Sequence, residues 1–170
     1  AGIVHRDIKP ANIMLDSYGR PVLADFGVAS PIGVLADGVL DGFSVLWAPP
    51  EQQDQRTHIH PTQDVWALAS TTWTLLTGRS PFEDPFGDNS AVAVASRVRS
   101  GRIRGLGRAD APEELEKVLL RAMRLDPLER TPCAAEFGRA LQGIQRLMGR
   151  PVTRLEIRDP RPEAASPPPV

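Results

Sequence analysis

The chain has 170 residues, 41% hydrophobic and 24% charged, which are the proportions of an ordinary globular domain with a sizeable core. Its formal net charge of −1 includes no basic excess, so a nucleic-acid-binding protein is disfavoured. Cys133 is the only cysteine, which excludes an intrachain disulfide and a cysteine-clustered zinc site. No apolar run reaches the roughly 18 residues that span a bilayer, and there is no signal peptide. We therefore expect a cytoplasmic domain, with a membrane anchor beyond Val170 left open.

The first 50 residues predict a short β-hairpin followed by a long loop. Apolar runs at residues 13–15 and 22–24 flank a turn-rich link at residues 16–21, and this arrangement is typical of a hairpin. From residue 28 to residue 50 no apolar periodicity persists and glycine recurs. Loops of such length in compact domains usually have a function, so the loop is a candidate functional segment.

The rest of the folded part predicts a set of helices around a buried central helix. Residues 62–77 are apolar on nearly every side, which indicates a helix in the middle of its domain. A shorter helix is predicted at residues 90–99, and another begins at Pro112. The last helix is predicted to have Thr131 as its N-cap and Pro132 as its first residue. Its apolar positions are Phe137, Leu141, Ile144 and Met148.

The composition changes near residue 150. Residues 151–170 contain six prolines and few large apolar side chains. Such a segment cannot bury enough surface to offset the entropy lost on ordering it. We therefore predict one folded domain at residues 1–149 and a flexible, proline-rich tail at residues 150–170.

Three polar residues flank the predicted hairpin and are candidates for chemistry. Asp7 precedes the hairpin, Asn12 enters it and Asp25 follows it, so the hairpin would bring all three to one edge. The side-chain oxygens of Asn12 and Asp25 suit Mg²⁺, which takes few protein oxygens together with phosphate and water. Asp7 is then free to orient a hydroxyl group and accept its proton. Lys9 offers a positive charge to a transferring phosphoryl group.

These residues lie in motifs that resemble a known family. HRDIKPAN at residues 5–12, followed by DFG at residues 25–27, resembles the catalytic core of eukaryotic-type Ser/Thr protein kinases, in a bacterial form. PPE at residues 49–51 stands where that family has Ala-Pro-Glu. Residues 64–69 resemble the start of its central buried helix, and residues 126–130 resemble the segment before its last helix. These motifs in this order are far more specific than DFG alone.

The resemblance implies an α+β, mainly α-helical fold: the C-terminal lobe of a kinase that uses ATP and Mg²⁺ to phosphorylate Ser or Thr of proteins. It makes Asp7 the catalytic base and Lys9 the phosphate-side lysine, whose presence points to Ser or Thr rather than Tyr as the acceptor. Asn12 and Asp25 match the Mg²⁺ ligands. Met14 matches the apolar side chain that packs under the adenine. ATP would therefore contact Lys9, Asn12, Met14 and Asp25.

The same resemblance implies that other residues support the HRD segment (residues 5–7) and the DFG segment (residues 25–27). His5 and Phe26 match a packed pair of side chains that holds the DFG segment in place. Asp64 matches the residue that anchors the backbone of the catalytic loop from below.

The resemblance also implies two long-range contacts of the long loop. Glu51 and Arg130 are expected to form a buried ion pair that joins the end of the loop to the last helices. Ser44 falls where a hydroxyl group normally touches the catalytic aspartate and lysine, which here are Asp7 and Lys9.

The way in which the long loop is held gives a separate hypothesis. Arg6 marks the kinase type whose activation loop is ordered by a phosphate group that pairs with this arginine. Residues 28–50 contain no threonine, and Ser30 is too close to Gly27 to reach the usual phosphate position. We hypothesise that Asp41, with Asp37 as a second candidate, supplies the anion permanently. The alternative is that both aspartates are solvated turn residues.

The sequence contains no glycine-rich loop, strand lysine or helix glutamate of the kind that completes a kinase. We therefore expect a piece of a longer protein whose other lobe lies upstream, and we expect the fragment to be inactive alone. Two other classes stay open: a pseudokinase used as a binding module, and a lobe that exists alone as a docking or scaffold fragment. The intact catalytic residue set disfavours the first class, and only the upstream coding sequence can exclude the second. A small-molecule phosphotransferase is a further alternative, which Lys9, the PPE motif and Arg130 disfavour.

Overall fold

A computed structural model describes residues 2–37, 44–53 and 56–157, with only the backbone described at 35–37 and 56–57. Within these ranges the chain forms four α-helices and three small antiparallel sheets of two strands each. The architecture is therefore α+β and mainly helical, as predicted. None of the helices in these ranges is long and apolar enough to cross a membrane.

The predicted hairpin is present near the N-terminus. Strand β2 (Ile13–Leu15) pairs with β3 (Pro21–Leu23), and Met14 lies opposite Val22. The turn is closed by Asp16, whose side-chain carboxylate accepts the backbone N–H groups of Tyr18 and Arg20. An aspartate that binds backbone N–H groups in this way favours a tight turn.

Two further sheets restrain the segment that was predicted to be a long loop. Strand β1 (Ile3–Val4) pairs with β4 (Ser30–Pro31), and β5 (Leu35–Asp37) pairs with β6 (Arg56–His58). The prediction of a plain loop was wrong here, because strands of two or three residues are too short to show alternation in the sequence. Single 3₁₀ turns at Ser44–Leu46 and Pro50–Gln53 follow.

Helix α1 (Pro61–Thr77) is the predicted central helix. It begins one residue earlier than predicted, because Nδ1 of His60 accepts the backbone N–H of Thr62 and Pro61 takes the first turn. It ends at Gly78, whose positive φ of 77° gives the left-handed conformation that suits glycine. Its buried side chains include Val65, Trp66, Ala69 and Trp73, and the Trp66 ring stacks on Phe82.

Helices α2 (Ala91–Ser100) and α3 (Glu113–Ala122) complete most of the core around α1. Ser90 caps α2, and Pro112 immediately precedes α3. The side chains that these helices add to the hydrophobic core are Val94, Val98, Leu115, Leu119 and Ala122. Both helices confirm the predicted elements to within one residue.

Helix α4 (Ala134–Leu147) begins later than predicted. The N-cap is Cys133 rather than Thr131, and Pro132 is not the first helical residue. The backbone is extended at Arg130 and again at Cys133, and a residue that precedes a proline, as Thr131 does, is itself biased towards the extended region, so the first helical turn begins only at Ala134. Of the predicted apolar positions, Phe137 and Ile144 are buried and Leu141 packs against the core. Met148 is exposed, because it lies after the last helical residue.

The chain then turns back beside α4. Thr153 bonds through its side chain and its backbone to Gln142 and Gln145, at 2.8–2.9 Å. Residues 151–157 are exposed, and residues 158–170 lie outside the described ranges. The predicted domain boundary at residue 149 stays a prediction.

Candidate active site

The HRD segment contains a left-handed residue that the rest of the fold holds in place. Arg6 has φ 68°, a conformation that costs a non-glycine residue roughly 1–2 kcal/mol. Asp64, in the first turn of α1, accepts the His5 N–H at 2.8 Å and the Arg6 N–H at 2.9 Å. Burial raises the pKa of Asp64 above its ordinary value, although these two N–H groups act in the opposite direction. The predicted anchoring of this loop by Asp64 is confirmed.

Asp7 lies at the centre of a group of polar side chains. Its carboxylate is 2.8 Å from Nζ of Lys9, and it accepts the Ser44 hydroxyl at 2.8 Å and the Asn12 amide at 2.9 Å. Nζ of Lys9 also donates to the Ser44 hydroxyl oxygen at 3.1 Å. The predicted contacts of Ser44 with Asp7 and Lys9 are confirmed. The structure thus brings Asp7, Lys9 and Asn12 together and adds Ser44 from the long loop.

These neighbours set the charge of Asp7. Burial alone would raise the pKa of Asp7, but the hydrogen bonds from Lys9, Ser44 and Asn12 outweigh it and hold the pKa below its ordinary value of 3.8. The group is therefore ionised at neutral pH. Because this pKa is lower in the folded chain than in the unfolded one, Asp7 stabilises the fold above pH 3.8. That contribution is lost as the pH falls through the folded-state pKa.

Replacing Ser44 with alanine is expected to raise the pKa of Asp7, because one of the hydrogen bonds that favour the ionised form disappears. The pKa can be followed through the carboxyl carbon resonance of Asp7 in an NMR titration. Ser44→Thr is the matched control, since it keeps the hydroxyl group and should leave the pKa low. An unchanged pKa in Ser44→Ala would contradict the hydrogen bond.

Asn12 holds Asp7 through its side-chain nitrogen. It ends a 3₁₀ turn, Pro10–Asn12, and its amide nitrogen donates to both the backbone carbonyl and the carboxylate of Asp7, at 2.8 and 2.9 Å. With both amide hydrogens used in this way, Oδ1 is the atom that can accept a cation. The Asn12 backbone carbonyl also accepts the Ala24 N–H at 2.8 Å, which ties this turn to the residue before Asp25.

Asp25 is exposed and, like Arg6, has a left-handed backbone, with φ 61°. The ring of the next residue, Phe26, packs edge-on against His5 with centroids 4.5 Å apart, and Nε2 of His5 lies 3.1 Å from the Ala24 carbonyl oxygen. The predicted packing of His5 with Phe26 is confirmed. These contacts hold the chain on both sides of Asp25 and leave its carboxylate accessible.

The donor set fits Mg²⁺ better than a metal that needs a protein cage. In the described ranges no group of three or more His, Cys, Asp or Glu side chains could hold a metal ion. The Asn12 amide oxygen and the Asp25 carboxylate are hard oxygen donors of the kind that Mg²⁺ takes together with phosphate and water. Among the described contacts none joins Asp25 or Met14 to Asp7. Met14 lies on the hairpin and is 58% exposed.

The ion pair predicted between Glu51 and Arg130 is confirmed. The guanidinium group of Arg130 binds the carboxylate of Glu51 through two bonds of 2.6 and 2.8 Å. It also donates to the backbone carbonyls of Arg124 and Leu125 and lies 4.8 Å from the centre of the Trp66 ring. The side chain of Arg130 is 0% exposed and that of Glu51 is 21% exposed. The end of the loop is thereby fastened to the core.

The profile of the protein kinase domain matches residues 1–137 of the sequence. The chain belongs to the protein kinase family. The chain is 34% identical over 158 residues to the Ser/Thr-protein kinase PknK of Mycobacterium tuberculosis, covering 92% of this chain and 14% of that protein. It is 33% identical over 141 residues to the Ser/Thr-protein kinase PknB of Mycolicibacterium smegmatis, covering 80% and 22%. It is also 33% identical over 145 residues to the tyrosine-protein kinase MasK of Myxococcus xanthus, covering 82% and 22%. The chain thus spans less than a quarter of the length of these relatives.

In this kinase domain, Arg6 reaches towards the start of the long loop. Its guanidinium NH1 lies 3.5 Å from the Val28 carbonyl oxygen and 3.5 Å from the Ser30 hydroxyl, and its Nε is buried without a hydrogen-bond partner in the described part of the chain. Asp41 and the side chain of Asp37 lie outside the described residues. The hypothesis that one of them pairs with Arg6 stays a prediction.

One contact of the kinase domain was missed by the sequence reasoning. Gln52, directly after Glu51, is buried and donates its side-chain amide to the Arg6 carbonyl at 2.6 Å. A glutamine in a turn carries no periodic or spacing signal. Only its position beside the PPE motif could have drawn attention to it.

Proposed function

We propose that this chain is the C-terminal lobe of a Ser/Thr protein kinase that transfers the γ-phosphoryl group of ATP to hydroxyl groups of proteins. The observation that carries the proposal is the ionised carboxylate of Asp7, which holds a serine hydroxyl at 2.8 Å while Lys9 lies 2.8 Å away. A carboxylate that accepts the Ser44 hydroxyl can accept the hydroxyl of a substrate in the same way.

In the proposed mechanism each residue has a separate role. Asp7 orients the acceptor hydroxyl and takes its proton as the hydroxyl oxygen bonds to the γ-phosphorus of ATP, while the bond from that phosphorus to the bridging oxygen breaks and ADP leaves. Lys9 provides positive charge beside the transferring group. Asn12 and Asp25 would hold Mg²⁺, which neutralises phosphate charge when it is bound. The orienting bonds from Asn12 to Asp7 mean that the proposed metal ligand also fixes the proposed base.

The exposed side of the hairpin supports the assignment to a lobe. Large apolar side chains are exposed on both strands and on the DFG segment, where a folded domain normally buries them. A second lobe that closes over ATP would cover this surface, and Met14 would then contact the adenine. The exposed residues of this surface are Met14, Leu15, Tyr18, Val22, Phe26 and Val28.

The proposal predicts which amino acid is phosphorylated and whether the isolated chain is active. A full-length kinase that contains this chain should phosphorylate Ser or Thr peptides in preference to a matched Tyr peptide, because Lys9 stands beside the proposed base. The isolated chain should phosphorylate none of the three, since half of the ATP site is supplied by the other lobe. Radiometric assays with the three peptides measure this directly. Similar proteins include a Ser/Thr-protein kinase and a tyrosine-protein kinase, so a preference for Tyr would overturn the acceptor assignment.

Calorimetry with ATP and Mg²⁺ provides the control for the lobe assignment. The full-length kinase should bind the nucleotide, and the isolated chain should bind it weakly. Sub-micromolar affinity in the isolated chain would contradict the proposal that a second lobe completes the site.

A further inference from the structure

The backbone of Arg6 is held at both of its polar ends by side chains from distant parts of the chain. Its N–H is bound by Asp64 at 2.9 Å, across 58 residues of sequence. Its carbonyl oxygen accepts the amide of Gln52 at 2.6 Å, across 46 residues. Gln52 is 2% exposed, so water cannot readily replace this bond. Arg6 has a positive φ, and few residues keep such a backbone unless the surroundings fix it.

We propose that Gln52 is a positioning residue that keeps the Arg6 peptide in its left-handed conformation and thereby sets the direction of Asp7. The peptide that Gln52 holds is the one that joins Arg6 to Asp7, so a rotation there moves the Asp7 side chain directly. The part of this inference that concerns catalysis rests on the proposed function of Asp7. The part that concerns the backbone does not.

No other described contact near this peptide can replace the hydrogen bond from Gln52. The Asp7 N–H makes a long contact of 3.3 Å with Nδ1 of His5, and Thr71 holds the Ile8 carbonyl at 3.4 Å. Neither group binds the Arg6 carbonyl. If the Gln52 amide is removed, a buried carbonyl loses its donor, and the left-handed residue can relax by turning that carbonyl elsewhere.

The position of Gln52 also links Asp7 to the end of the long loop. Gln52 lies in the 3₁₀ turn Pro50–Gln53, directly after Glu51, whose carboxylate is bound by buried Arg130. The loop end is therefore fixed to the core on one side and to the HRD segment on the other. A shift of this turn would be transmitted to the Arg6 peptide through one side chain.

Hydrogen exchange on the 170-residue chain tests the backbone part. Gln52→Met keeps the length and apolar bulk of the side chain but removes the donor. The amides of His5 and Arg6 should then exchange about tenfold faster, while the buried amides of α1 keep the wild-type rate. Gln53→Met is the matched control, because Gln53 donates to the Ala48 carbonyl rather than to Arg6. Equal rates for His5 and Arg6 in the wild type and in Gln52→Met would overturn the proposal.

A measurement on the unaltered chain covers the case in which Gln52→Met does not fold. One side-chain amide proton of Gln52 should be protected from exchange in the wild type, because it is buried in a short bond to the Arg6 carbonyl. The side-chain protons of glutamine in a short unstructured peptide exchange freely and calibrate the comparison. A Gln52 side chain that exchanges at that free rate would overturn the contact and the proposal with it.

Steady-state kinetics on the full-length kinase test the catalytic part. Gln52→Met should lower kcat by about ten- to a hundredfold, with KM for ATP nearly unchanged, because a misdirected Asp7 affects the acceptor hydroxyl and not nucleotide binding. A purely structural role would leave kcat per folded molecule at the wild-type value and would overturn the positioning role. A failure of the proposed function is distinguishable, since Asp7→Asn would then leave kcat unchanged while the exchange result for Gln52 would still stand.

Discussion

Asp7→Asn in a full-length kinase that contains this chain is expected to lower kcat by about 10²–10⁴-fold while leaving ATP affinity nearly intact. The carboxylate of Asp7 is ionised and is held by Lys9, Ser44 and Asn12 at 2.8–2.9 Å. An asparagine of the same shape cannot take a proton from the acceptor hydroxyl. Single-turnover kinetics together with ATP titration separate the two effects.

Asp25→Asn is the comparison for this prediction. The accessible carboxylate of Asp25 is proposed to hold Mg²⁺, so the loss of this carboxylate should weaken Mg²⁺-dependent nucleotide binding as well as turnover. The chain on both sides of Asp25 is held by other residues, which makes a general collapse of the DFG segment unexpected. If Asp7→Asn and Asp25→Asn weakened ATP binding equally, the assignment of separate roles would be wrong.

Arg130→Ala is expected to lower the free energy of unfolding by roughly 3–5 kcal/mol. The substitution removes a fully buried guanidinium group and leaves the Glu51 carboxylate without its two-bond partner. It also removes the donors to the Arg124 and Leu125 carbonyls and the contact with the Trp66 ring. For a chain of this size the melting temperature should fall by roughly 6–20 °C, which calorimetry can measure.

Arg139→Ala is the matched control for Arg130→Ala. Arg139 also forms an ion pair, with Glu136 one helical turn earlier, but both side chains are about half exposed. Ion pairs in such positions contribute little because water screens them and the long side chains lose entropy. The melting temperature should therefore change little. Similar losses in the two variants would show that burial of the Glu51–Arg130 pair is not what makes it important.

The polar contacts of the site were the part most accessible to sequence reasoning. The hairpin between the HRDIKPAN and DFG motifs predicted that Asp7, Asn12 and Asp25 would lie together. The hydrogen bond from Asn12 confirms its place beside Asp7, whereas no described contact joins Asp25 to either residue. The ion pair between Glu51 and Arg130 was predicted across 79 residues of sequence. Such contacts were predictable because each depends on a charged or polar residue type at a fixed place in a motif. The catalytic roles themselves stay predictions.

The parts that sequence reasoning missed depend on packing or on very short elements. Strands of two or three residues have no detectable alternation, so the pairing of β1 with β4 was not expected. The N-cap of α4 was placed at Thr131 from local preferences, but in the folded chain the backbone is still extended at Cys133, which is the N-cap. Gln52 was missed because its function follows from which carbonyl it meets in the folded chain.

The wide sequence separation of the contacts on the HRD segment has a consequence for synthesis on the ribosome. Asp64 follows His5 by 59 residues, and at 5–20 residues per second that interval takes about 3–12 s. Arg130, which fixes the turn that contains Gln52, is made later still. The HRD segment thus leaves the ribosome early but cannot take its left-handed turn until these partners emerge. A slow stretch of translation between the HRD segment and Arg130 would therefore prolong exposure of the segment to chaperones and proteases, while a slow stretch before the HRD segment would not.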